Sequence, residues 1–301
     1  MTDPRRPRAG AQRLPAAAAI VAASAGFVAT LWGWTKGGAA LDLSWAPALD
    51  LHLRFRLDGL GALYTLLATG VGLAVFVYAA RYLPLHLAHQ RRPSSDAPRF
   101  YALLVLFMVS MAGLATAQDL VLLFVFWDLT AVASYFLIAY DRHEASSRWA
   151  ALMALLVTGV SAVLLLISAL VLYAEYRTFS VPELFQRAEA GSTLTLAGAL
   201  IAVAALAKSA QVPLHFWLPR AMTAPTPVSA YLHSAAMVAA GVLLLGRTYP
   251  LIEPSEALLD GLAVVGAASI AVGGVLALTR DDMKQVLAYS TFSQYGYVVF
   301  L

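Results

Sequence analysis

The chain has 301 residues, 60% of them hydrophobic and only 12% charged, with a net charge of +3. Soluble domains carry roughly a quarter of their residues as charges and have no need of repeated apolar runs of about 20 residues, the length that crosses a bilayer, so a polytopic membrane protein is the class that fits. The absence of cysteine excludes thiolate metal sites, iron–sulfur clusters and disulfides, and basic residues gathered at helix ends, without interleaved aromatics, exclude a nucleic-acid surface.

Nine apolar segments follow one another, at about 15–35, 58–80, 100–117, 119–140, 149–173, 195–218, 226–246, 259–279 and 284–301. Each predicts a helix, because lipid offers the backbone no hydrogen-bonding partner and no strand-like alternation stands out. The expected fold is an all-α membrane protein with short polar connections. The first segment has a second reading: RRPRAGAQRLPAAAAIVAASAG has the basic start, apolar run and small residues of a cleaved signal peptide. Its continuation through FVATLWGW to span length favours a retained helix. His52, His86, His89 and His143 fall between the segments, and HLAH sets His86 and His89 three apart; solvated histidines are expected there rather than a metal pair. VGAASIAVGG at 265–274 reads as packing glycine within a helix, not as a phosphate loop. The last segment, QVLAYSTFSQYGYVVFL, stops inside an apolar helix, which points to a fragment of a longer chain.

Alternate connections differ in charge. Arg5, Arg6, Arg8, Arg13, Arg81, Arg91, Arg92, Arg99, Arg142, Arg148, Arg220, Arg280 and Lys284 fall on one side, against Lys36, Arg54, Arg56, Arg177, Arg187 and Arg247 on the other. The excess predicts a cytoplasmic amino terminus in the cell inner (plasma) membrane.

Lys208 belongs to neither set. It lies within the sixth segment, as Asp128 lies ten residues into the fourth and His233 within the seventh. An Asp or Lys at mid-helix costs about 2.5–3.5 kcal/mol on an insertion scale, so such residues face a bundle interior or a wet cavity. One reading is a structural ion pair locking two helices. The other is a proton relay: burial disfavours an ammonium, a nearby carboxylate restores it, and a histidine passes the proton on. Pro213, five residues after Lys208, is expected to break or bend the sixth helix, and freed carbonyls inside a membrane need protein or water to meet them. Pro225 and Pro227 read as a turn feeding the seventh helix. Ser209, Gln211, Thr226, Ser229 and Ser234 either line a water path or only permit close packing. His215 in PLHFWLP reads as interfacial, and it and Lys284 are secondary candidates.

The stretch KSAQVPLHFWLPRAMTAPTPVSAYLHSAAMVAAG resembles the signature of the antiporter-like subunits of respiratory complex I and of Mrp-type sodium/proton antiporters, and its APTPVSAYLHSA wording is most similar to the Mrp A subunit. FRLDGLGALYTLLATGVGLAVFVYAARYL, LLFVFWDLTAVASYFLI and RDDMKQVLAYSTFSQYGY agree with it. The resemblance implies that Asp128 stands for the family's carboxylate, Lys208 for its lysine and His233 for its histidine, in a proton path through a discontinuous helix. Asp128 replaces the usual glutamate, and Thr223 and Ala239 stand where Mrp A subunits usually carry Glu and Lys. The resemblance also implies three parts: 1–98 with the first two membrane helices, one family helix fewer than usual; 99–247 as a first five-helix proton-channel repeat; and 248–301 as the start of a truncated, inverted second repeat. The expected function is proton translocation within a multi-subunit cation/proton (Na+/H+) antiporter, beside other integral-membrane subunits. The alternatives are a proton-pumping subunit of a complex I-like NADH-quinone oxidoreductase or membrane hydrogenase, a bicarbonate-uptake partner, and a non-conducting scaffold. No flavin, quinone or iron–sulfur site is legible, so no cofactor is expected.

Overall fold

The computed structural model describes residues 9–46, 51–234 and 236–301; Arg5, Arg6 and Arg8 of the basic set lie outside them. In chain order the elements are α1 (Ala9–Thr35), β1 (Ala40–Ala46), β2 (Leu51–Arg56), α2 (Gly59–His89), α3 (Ala97–Thr116), α4 (Leu120–Ile138), α5 (Ala145–Tyr176), α6 (Val181–Arg187), α7 (Ser192–Lys208), α8 (Trp217–Ala221), α9 (Thr226–Ser234), α10 (Met237–Ile252), α11 (Glu256–Leu278) and α12 (Met283–Phe300). All nine apolar segments are helical, and the molecule is an all-α polytopic membrane protein apart from one hairpin. Aspartates start three of the helices: Asp58, Asp119 and Asp282 accept backbone N–H bonds in the first turns of α2, α4 and α12.

Among the described residues seven of the nine apolar segments form stretches that are long and apolar enough by themselves to cross a membrane. The other two are α7, which stops at Lys208 after 17 residues, and α12, whose sequence LAYSTFSQYGY carries many hydroxyls. One feature was not expected: the antiparallel hairpin β1–β2, in which Asp42 faces Arg54 and accepts from its Nε at 3.2 Å.

Hydrogen bonds sort the connections onto two faces. On one face, Gln118 N–H donates to the Arg54 carbonyl at 2.9 Å and Val181 N–H to the Gln118 carbonyl at 2.9 Å, which gathers the hairpin, the α3–α4 turn and the approach to α6. On the other, Arg92 donates to the Tyr140 carbonyl at 2.9 Å, and Lys284 Nζ donates to the Ala224 carbonyl at 2.9 Å. This is the partition into alternate connections that the charge count used.

The α9–α10 pair is the centre of the bundle: 82% of its most apolar stretch is buried, against 17% for α11. α10 packs on α7, α7 on α5, α5 on α4, and α11 lies along α12. Gly241 of α10 marks the closest approach. A Cβ there would stand 2.3 Å from the Ala205 carbonyl oxygen and 2.7 Å from Ser209 Cβ, so only glycine lets α10 press against the end of α7.

Candidate functional site

α7 was expected to run to residue 218 with a break at Pro213; it ends at Lys208 instead. Ala210 has φ +54°, the left-handed conformation that ends many helices and is ordinarily taken by glycine. Around it Gln211 N–H donates to the Leu206 carbonyl at 2.9 Å and Ala210 N–H to the Ala207 carbonyl at 3.3 Å, the paired bonds of a Schellman turn. An alanine in this conformation costs roughly 1–2 kcal/mol. Side chains hold the turn: the Trp217 indole donates to the Ala207 carbonyl at 3.0 Å, Gln211 Nε2 donates to the Ser209 carbonyl at 2.9 Å, and Val212 N–H donates to Ser269 Oγ at 3.0 Å. Pro213 follows the break and opens the short turn into α8.

Lys208 is the last residue of α7 and fully buried. Its ammonium donates to the Trp127 carbonyl at 2.6 Å and to Thr130 Oγ1 at 2.6 Å, and it lies 4.3 Å from the centre of the Trp127 ring. Trp127 is itself fixed by an indole N–H bond to Ser161 Oγ at 2.9 Å. Charge-assisted hydrogen bonds contribute about 1.5–3 kcal/mol each, the same order as the insertion cost of the charge. The carbonyl end of α7 also favours a cation. Asp128, half-buried on α4, acts on Lys208 electrostatically, but the two make no ion pair within 4.0 Å among the described residues.

The seventh segment, expected to be one continuous helix, is interrupted as well. α9 ends at Ser234 and α10 begins at Met237, with Ala236 at φ −129° and ψ −85°. His233 is therefore in a last turn too, buried, with neither ring nitrogen hydrogen-bonded among the described residues. Lys284 acts on it electrostatically, while its own Nζ donates to the carbonyls of Met222 at 3.2 Å and Ala224 at 2.9 Å. His215 lies in the turn after Pro213 with its ring 5.1 Å from that of Phe292. Ser209, Ser229 and Ser234 bond carbonyls three to five residues back in their own segments, which favours packing over a lined water path.

α12 stands beside both interruptions. Its Phe292 carbonyl accepts from Gln211 Nε2 at 3.3 Å, and its Tyr295 hydroxyl donates to the Ser234 carbonyl at 3.2 Å.

Residues 117–301 match the family model described as NADH:quinone oxidoreductase/Mrp antiporter, TM, and residues 44–93 match the one described as NADH-Ubiquinone oxidoreductase (complex I), chain 5 N-terminus. The chain belongs to the NADH:quinone oxidoreductase/Mrp antiporter family. It is 40% identical over 260 residues to the protein of Staphylococcus haemolyticus named antiporter subunit mnhA2, covering 85% of this chain and 32% of that one. A Staphylococcus aureus (strain MRSA252) protein of the same name is 39% identical over 263 residues, with 86% and 32% covered. The fold matches the structure of the Mrp complex from Dietzia sp. DQ12-45-1b with TM-score 0.86 and 35% identity, over 96% of this chain and 32% of that chain. The chain thus spans about a third of the length of the relatives it matches, and its likeness to the Mrp A subunit is borne out.

Two polar clusters of this family member escaped the sequence reading. Arg247, counted among loop residues, is buried on α10. It pairs with Asp58 and donates to the Ala115 carbonyl, while Gln118 Nε2 donates to Asp58 at 3.1 Å. On the opposite face His86 is not a solvated loop residue; it belongs to α2, which runs on to His89 through Arg81 and Pro84. Its Nε2 pairs with Asp141 at 3.0 Å, and Arg92 bonds Asp141 at 3.1 Å and Asp96 at 2.6 Å. Only tertiary contact reveals these pairs, although LHLRFR in β2 did carry a strand's alternation.

Proposed function

We propose that the chain is a proton-translocating subunit of a multi-subunit cation/proton antiporter in the cell inner membrane, its amino terminus cytoplasmic. Lys208 takes up and releases the proton, Asp128 sets how firmly it is held, and His233, with Lys284 beyond it, continues the path. The observation that supports this reading most is the way Lys208 is held. Its charge is met by two neutral oxygens, using two of three ammonium hydrogens, and no carboxylate locks it. A purely structural ion pair needs the direct Asp128 contact that is missing here. Helices interrupted within the membrane, here each with an ionisable residue in its last turn, are characteristic of ion-coupled transporters. Related proteins carry the name antiporter subunit, and a matched structure is titled as an Mrp complex, which supports neighbouring membrane subunits as partners.

The test is Lys208→Ala in the assembled complex, reconstituted in vesicles with a pH-sensitive dye. Loss of cation-driven proton movement is expected; a gradient as large as the parent's sinks the relay and leaves a scaffold. The family model's description also covers NADH:quinone oxidoreductase, so the same vesicles should be challenged with NADH and quinone. Proton movement only under that drive selects the respiratory reading.

A further inference from the structure

The His86–Asp141 cluster has no part in the relay just described, yet it occupies the face that bears Lys284. His86 Nε2 lies 3.1 and 3.0 Å from the two Asp141 oxygens. Its Nδ1 lies 3.3 Å from the Tyr82 hydroxyl, and the two rings stack with centroids 5.3 Å apart. The same hydroxyl accepts from Thr226 N–H, the first residue of α9, at 3.5 Å. Asp141 also feels Lys284, which in turn acts on His233 at the other end of α9. The cluster therefore reaches the helix that carries His233 by two routes.

We propose that His86 and Asp141 form the mouth through which protons are exchanged with water on this face, with Tyr82 and Lys284 as the links inward; the proposal rests on the Lys208–His233 reading above. The His86 and Asp141 side chains are 14% and 10% exposed, enough to meet water and too little for bulk screening. Histidine is the side chain that changes charge in the physiological pH range. With His86 neutral, Nε2–H donates to Asp141 and the Tyr82 hydroxyl donates to Nδ1. When a proton from water adds at Nδ1, that N–H donates to the Tyr82 oxygen instead, the hydroxyl hydrogen swings off the ring nitrogen, and the oxygen keeps the bond from Thr226 N–H at the start of α9. Asp141 compensates the new positive charge. The other charges facing the cluster are Arg92, with Asp96 bound to it, Arg99, which acts on Tyr140 beside it, and Lys284.

The plain alternative is a staple joining α2 to the α4–α5 turn, and the pH profile separates the two. In the assembled complex in vesicles, proton movement is followed while pH is varied on this face. His86→Gln keeps a donor for Asp141 but takes no proton; it is expected to slow movement at least about tenfold and to flatten the pH profile. Tyr82→Phe keeps the ring stack without the hydroxyl, and a slowing in the same direction is expected. Parental rate and profile in either assembled variant overturn the mouth. Lys208→Ala run alongside separates the readings: if it is silent while His86→Gln is parental, the mouth alone fails; if it transports normally, the relay and the mouth fall together.

Discussion

The ammonium of Lys208 donates to the carbonyl of Trp127, the neighbour of Asp128 in α4, and not to Asp128 itself. The second acceptor is the Thr130 hydroxyl, which in turn donates to the Trp127 carbonyl at 2.7 Å. Thr130→Val removes that acceptor without changing side-chain volume. The charged lysine then loses about 1.5–3 kcal/mol of support, and proton movement at neutral pH should slow severalfold with assembly intact. A flux equal to the parent's would show that the hydroxyl is incidental.

Asp128 acts on Lys208 through space. Asp128→Asn removes the charge and keeps the shape, and transport in vesicles should fall at least about tenfold, a rise of about 1.4 kcal/mol or more in the barrier. Asp128→Glu lengthens the side chain and should retain transport. The pair of rates distinguishes a charge requirement from a packing requirement.

Gly241 is where α10 meets the end of α7. Gly241→Val forces the two apart, because a Cβ added there would lie 2.3 Å from the Ala205 carbonyl oxygen. Overpacking of this kind costs about 1–3 kcal/mol. A lower thermal midpoint in detergent is expected, together with slower transport as Lys208 moves off Trp127.

Burial would raise the Asp58 carboxyl, but the bonds from Arg247 and Gly61 outweigh it and hold the group below the ordinary carboxylate range. A carboxylate whose folded value is depressed contributes stability above its unfolded value, near 3.9, and that stability is lost as pH falls through the folded value. Acid unfolding below pH ~4 should therefore weaken in its pH dependence in Asp58→Asn. Arg247→Met leaves Asp58 without its cation and should cost about 3 kcal/mol at neutral pH; equal midpoints for variant and parent in a melt would contradict this.

The chain has no cysteine, so single cysteines report sidedness directly. Cysteine placed at Lys36 should react with an impermeant maleimide from outside cells, and cysteine at His143 only after permeabilisation. The reverse pattern would invert the amino-terminus-in orientation.

Helices and the three ionisable residues within them, Asp128, Lys208 and His233, were legible because each leaves a local mark: an apolar run, or a charge within one. Where the helices stop was not. Ala210 carries the turn that ends α7, and alanine gives no sign of a left-handed conformation, whereas Pro213 advertises a break that occurs just before it. α2 outran its predicted end because Arg81, Pro84 and His86 look like a boundary, yet His86 has a buried partner 55 residues away. Arg247 and Asp58 are 189 residues apart. Such pairs depend on how helices pack, which no local window contains.

α12 touches the turn after Lys208 through Phe292 and the turn after His233 through Tyr295, and its first residues brace the approach to α9 through Lys284. Those contacts run from Lys284 to Tyr295 of one helix, about 17 Å of its length. A helix is stiff along its axis, so the three points move as one body. Straightening or tightening either interrupted helix pushes on a rod that the other also leans on, and Lys208 and His233 share a mechanical support although they lie on different helices.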